Sequence, residues 1–251
     1  MKANGNFAPA AAGLLGLILL AGLLELAIRF GLISALIIAP PSSMPAAFAK
    51  LWHDGFIVEP FLATLGQTFV ATLAAALVGI PAGYLLWRRP LLTASYESWL
   101  GAAFAAPLIL LYPLFLVIFG RGYTTTIFVG FLSAVIPIVL KTRDGLAAVP
   151  RVLIQVGQSF HLSRWTGFIK IIVPAAAPAM LTGIRLGLIF AVVNIIGMEF
   201  LIDFGGLGRV VSEMYFRYEI AGMYAAILLI LLVSILFLTL FERIERWLRP
   251  H

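Results

Sequence analysis

The chain has no cysteine and little charge: only 11% of its 251 residues are Asp, Glu, Lys or Arg. The first absence excludes disulfides and thiolate metal sites, and the three histidines, His53, His161 and His251, are too scattered to suggest a metal centre. The second excludes an ordinary soluble domain, in which about a quarter of residues are charged. No G-x-x-x-x-G-K-[ST] phosphate loop is present, so nothing in the sequence would cradle ATP. No internal repeat is visible, and no basic stripe with interleaved aromatics marks a nucleic-acid surface.

What the chain has is apolar: 62% of residues are hydrophobic and mean hydropathy is +1.07. An all-α, polytopic membrane protein follows, expected as a single domain over 1–251 with a core at about 61–241 and no appended catalytic domain. Crossing a hydrocarbon layer of about 30 Å takes roughly 20 helical residues. Six runs meet that length approximately, at 11–37, 61–87, 99–119, 124–140, 177–198 and 223–241. The first is expected to be a retained helix rather than a cleaved signal, being long and led only by Lys2.

Charge placement orients the spans, because loops rich in Lys and Arg stay in the cytoplasm. With the N-terminus inside, the inner segments hold Lys2, Arg88, Arg89, Lys141, Arg143, Arg151, Arg164, Lys170, Arg243, Arg246 and Arg249. The outer ones hold only Lys50, Arg121, Arg209 and Arg217, alongside six acids. Both termini are therefore expected in the cytoplasm, and the net charge of +6 reads as a topology signal. Trp87, Trp99 and Trp247 fall near expected span ends, as in an interfacial belt.

Two outer connections are expected to carry short helices, one in PAAFAKLW after Pro40, Pro41 and Pro45, the other in VVSEMYFRYEIAG after the flexible glycine cluster FGGLG. The inner segment 141–174 is the longest polar interruption, far above the 2–8 residues typical of bundle connections. Gly145 and Pro150 punctuate it, VLIQVGQSF offers amphipathic helical turns, and Ser163 is placed to cap a second run ended by Pro174. A helix, a turn and another helix on the cytoplasmic face would suit docking of a partner, or serve as a plain connector.

In this order of elements the chain resembles the membrane permease subunit of bacterial ATP-binding-cassette importers, in the branch associated with nitrate, taurine and aliphatic sulfonates. That family's cytoplasmic signature reads Glu-Ala-Ala, three residues, Gly, nine residues, Ile, one residue, Leu-Pro. Anchored on Pro174, it places Val173 at the Leu, Ile171 at the Ile, His161 at the turn Gly, and Gln155, Val156 and Gly157 at Glu-Ala-Ala. An amide thus replaces the acid, and a histidine the glycine. Pro107, Pro113, Phe119 and Gly120 fit the branch's third helix; Pro137, Thr142 and Gly145 fit the entry to the loop. TGIRLGL at 182–188 fits the start of the fifth helix, and Glu199 with Gly206-Leu207-Gly208 fits its outer elements, Met198 replacing the usual Ala.

The resemblance implies an inner-membrane subunit of a type I importer. Two permease copies would enclose a pathway, driven by separate cytoplasmic ATPases and fed by an extracytoplasmic solute-binding protein. ATP would be used by the partner, with no cofactor bound by this chain. Gln155 to Ser163 becomes the expected coupling helix, with Phe160 or Leu162 as apolar anchors and His161 on its surface. The solute implied is a small anion such as a sulfonate, taurine or nitrate, or alternatively a vitamin or pyrimidine precursor. A membrane-embedded enzyme would need convergent His, Asp or Ser residues at depth, which the spans do not offer. An ion-driven secondary transporter would need a deep acid without a basic neighbour, whereas Glu25 has Arg29 four residues on, as a self-neutralised pair or a pathway element.

Three further features have two readings each. Arg185 either snorkels to the cytoplasmic surface or lines the pathway or a dimer contact. Glu199 either shapes an outer gate or binding-protein contact, or ends a helix in solvent. Pro107 and Pro113 either break a helix and turn carbonyls toward a cavity, or kink it for packing.

Overall fold

The computed structural model of the chain describes residues 7–248, and these contain helices without strands. Lys2, Arg249 and His251 lie outside the described residues, as do the side chains of Arg246 and Trp247. The order is α1 (Phe7–Arg29), α2 (Met44–His53), α3 (Val58–Arg88), α4 (Pro90–Ala105), α5 (Tyr112–Phe119), α6 (Tyr123–Ala147), α7 (Arg151–Ser159), α8 (Arg164–Gly167), α9 (Val173–Leu201), α10 (Leu207–Phe216) and α11 (Ile220–Leu248).

Among the described residues, four helical stretches are long and apolar enough to span a membrane: Val58–Arg88, Tyr123–Ala147, Arg164–Leu201 and Ile220–Arg243. The third expected run is no straight span. It is α4 and the segment Leu108–Phe119, bent by 86° where Pro107 interrupts the helix. Pro107 has no N–H to offer the preceding turn, and Ala106 before it is extended, as the residue ahead of a proline prefers. The first expected run, 11–37, is helical only to Arg29, after which the chain turns through Gly31 at φ +73. Both expected short helices are present as α2 and α10.

The largest departure is at 141–174. Most of this stretch is not loop, because α6 runs on to Ala147 and the second run is continuous with α9. Pro174 does not end that run. It lies in the first turn of α9, preceded by a π-helical turn over Phe168–Ile172 that loosens the backbone ahead of the missing N–H. TGIRLGL consequently falls in the body of α9 rather than at a helix start.

Helix α6 is the centre of the bundle, packed between α3 and α9. Both neighbours present glycines four apart. A Cβ on Gly79 or Gly83 of α3 would stand 2.8 Å from Ile138 Cγ2 or 2.7 Å from Thr142 Cβ. One on Gly183 or Gly187 of α9 would stand 2.8 Å from Lys141 Cβ or 2.9 Å from the Ala134 carbonyl. Bare backbone on both sides lets three helices approach closely where lipid offers no hydrophobic drive. Ile138, fully buried, fills the seam between Gly79 and Gly187.

Candidate functional site

Two places in this bundle bring the singled-out residues together, one at each end of the long helices.

At the end bearing α7, a three-residue break at Ala148–Pro150 releases the chain from α6, and α7 then runs from Arg151 to Ser159. The helix is as long as the expected Gln155 to Ser163 but begins four residues earlier; Phe160 to Ser163 form the turn that follows. Its two sides differ. Ile154, Gly157 and Gln158 share the face turned to the bundle, where Gly157 is buried and a Cβ there would stand 2.7 Å from Ile171 Cδ1. Val152 and Val156, on the opposite side, are exposed, as is Phe160 at 74%. Leu162 borders the space beneath α7 and is only partly exposed, so of the two expected anchors Phe160 is the more exposed.

His161 closes the turn at φ +52, in the left-handed region, and its N–H donates to the Gln158 carbonyl at 2.9 Å. A glycine would hold this conformation without strain, so the histidine occupies the geometry that the family motif assigns to Gly. Ser163 caps the next helix, its Oγ accepting from the Thr166 N–H at 3.2 Å.

At the other end, Glu199 near the close of α9 is 0% exposed, neither a solvated helix end nor a direct surface contact. Its carboxylate is surrounded by donors. The Thr64 hydroxyl lies 2.9 Å from both oxygens, Gln67 Nε2 donates to Oε1 at 2.7 Å, and the Gly208 N–H donates to Oε2 at 2.9 Å. Thr64 in turn accepts from the Leu207 N–H at 2.9 Å, and the Thr126 hydroxyl donates to Gln67 Oε1. One buried acid therefore ties α9 to α3, α6 and the start of α10. The glycine cluster beside it is tightly fitted rather than flexible: a Cβ on Gly206 would stand 2.5 Å from Glu199 Oε1, and one on Gly208 would stand 2.8 Å from Glu199 Cβ. Above this knot, Asp54, Glu59, Arg121, Tyr123, Asp203 and Arg209 line a polar cavity of about 470 Å³.

The remaining candidates disperse. Pro107 borders a cavity of about 190 Å³ shared with Ser133, Phe190 and Asn194. Pro113 sits in the first turn of α5, where a proline costs no hydrogen bond. Arg185 pairs with Glu242 of α11 and is thereby engaged within the chain. Glu25 and Arg29 pair at 2.9 Å, and Glu25 also accepts from the Ser42 N–H and hydroxyl.

Sequence reasoning missed Thr64, Gln67 and Thr126, which look like ordinary small polar residues in apolar helices. The glycine pairs at 79/83 and 183/187 carried a usable signal, since small residues four apart in apolar runs mark close helix contacts.

Comparison with known proteins agrees with this architecture. The family model described as "Binding-protein-dependent transport system inner membrane component" matches residues 75–250. The bicarbonate transport system permease protein CmpB of Synechocystis sp. is 30% identical over 94% of this chain and 86% of its own length. The taurine transport system permease protein TauC of Escherichia coli is 26% identical over 87% and 82%. The nitrate import permease protein NrtB of Synechococcus elongatus is 26% identical over 79% and 76%. Among solved structures, an inward-facing MetNI methionine ABC transporter covers 80% of this chain and 99% of its own, with a TM-score of 0.69 at 22% identity, which shows a shared fold. With its spans, its buried helix seams and its match over most of the sequence, the chain belongs to the binding-protein-dependent transport system inner membrane components, a family of multi-pass transport permeases and not of enzymes.

Proposed function

We propose that this chain is the permease of an ATP-binding-cassette importer for a small anion, working as a pair of copies with both termini in the cytoplasm. A separate ATPase would drive it, and an extracytoplasmic solute-binding protein would feed it. The observation that carries the reading is α7, a short helix held between two membrane-crossing helices, with Val152, Val156 and Phe160 turned outward. An apolar strip on an exposed short helix fits the groove of a partner. Because α7 is joined to α6 by three residues and, through one turn, to the helical run that continues into α9, movement of a docked ATPase would be transmitted to both.

Relatives named for bicarbonate, taurine and nitrate transport, matching 94%, 87% and 79% of the chain, support the anion. A relative named for riboflavin transport, 26% identical over 73% of the chain, keeps the vitamin alternative within the same importer class.

Val156→Asp tests the docking reading. A charge in the centre of the strip should lower co-purification of the ATPase by about tenfold or more, as truncating an interface anchor does. Unchanged co-purification would remove α7 from the contact.

A further inference from the structure

Beneath the inner face of α7 lies a cavity of about 480 Å³ that the transport cycle as described does not use. Its wall is aromatic. Tyr84 and Trp87, from the last turns of α3, meet Phe168 at ring-centroid distances of 4.9 and 6.2 Å, and Trp165 meets Phe168 at 5.9 Å. Two arginines, Arg88 and Arg164, border the same space. Among the described residues neither has an acidic partner, and Arg88 has only the Tyr84 hydroxyl, 3.2 Å from Nη1.

We propose that this cavity binds the headgroup of an anionic phospholipid, its phosphate between Arg88 and Arg164 and its glycerol and upper acyl carbons against the aromatic wall. The location argues for a lipid. Arg88 is the last residue of a 31-residue membrane-crossing helix, so the cavity opens at the depth of the headgroups. Basic pockets beside spans at the cytoplasmic surface collect anionic headgroups. An aromatic wall adds apolar contact that a free anion cannot use. The cavity face of α7, formed by Ile154, Gly157 and Gln158, is opposite Val152 and Val156, so lipid and ATPase can occupy the helix together. A bound headgroup fills the space between α7 and α3 and holds α7 at a fixed distance from the bundle. The inference depends on the proposed orientation only for which leaflet supplies the lipid.

The test uses the purified, delipidated full chain, titrated with phosphatidylglycerol or phosphatidylcholine and read by native mass spectrometry. Wild type retains phosphatidylglycerol in preference to phosphatidylcholine. Arg88→Gln with Arg164→Gln lowers that retention by about twenty-fivefold, from roughly fivefold per basic residue. Arg88→Lys with Arg164→Lys keeps most of it, and excess inorganic phosphate does not displace the lipid. Equal retention of the two lipids, retention unaffected by the glutamine pair, loss as great in the lysine pair, or complete displacement by inorganic phosphate would each overturn the proposal. None of these readouts involves ATP or solute, so the lipid site and the importer reading fail separately.

Discussion

Glu199 accepts from Thr64, Gln67 and Gly208 at once, and every one of those groups points a hydrogen at it. Glu199→Gln replaces one accepting oxygen by an NH2 that faces donors, leaving at least one buried polar group unpaired. The expected cost is about 1–3 kcal/mol, read as a lowered thermal unfolding midpoint in detergent; an unchanged midpoint would contradict the network. His161 works the other way. Removing its side chain at φ +52 relieves strain, and His161→Gly is expected to stabilise the turn by about 1 kcal/mol, seen as slower amide exchange at Gly157 to Leu162. Spacing from Pro174 placed His161 at the motif's turn glycine, and it does lie in a turn, whereas the helix on whose surface it was expected ends at Ser159. Glu199's partners were not legible in the sequence, since Thr64 and Gln67 lie more than 130 residues away along the chain and no local pattern pairs them.

At the scale of elements, hydrophobic run length located the long helices well, and Ser163 and the PAAFAKLW stretch marked real helices. The inner segment misled because charge was read as loop. Lys141, Arg143 and Asp144 instead continue α6, where Arg143 pairs with Glu97 of α4 at 3.2 Å and with Asp144 at 2.7 Å. Nor does proline always stop a helix: at Pro174 the π turn over Phe168–Ile172 accommodates it. The closeness of α3, α6 and α9 depends on bare glycine faces. Gly187→Leu should force α9 away from Ala134 and Ile138, destabilising the bundle by about 1–3 kcal/mol as overpacking does. Yield and unfolding temperature of the purified variant check this, with Gly101→Leu as a control, because a Cβ at Gly101 meets nothing within 4 Å.

For the whole molecule, the two ends of the bundle divide the work that the proposed function requires. The α7 end offers an outward apolar strip for an ATPase. The Glu199 end holds α3, α6, α9 and α10 together beneath a polar cavity. Helices α6 and α9 pack together between these ends, and in the proposed function they would carry movement from a docked ATPase to the solute. Large apolar side chains such as Leu77, Val117, Leu231 and Ile235 face outward, toward lipid or another subunit. The most direct measurement is uptake into liposomes holding this permease with its ATPase and supplied with its solute-binding protein, using labelled bicarbonate, nitrate and taurine with riboflavin for comparison. The account predicts ATP-dependent accumulation of one of the anions, abolished when the binding protein is omitted. Accumulation independent of ATP and of the binding protein would contradict it.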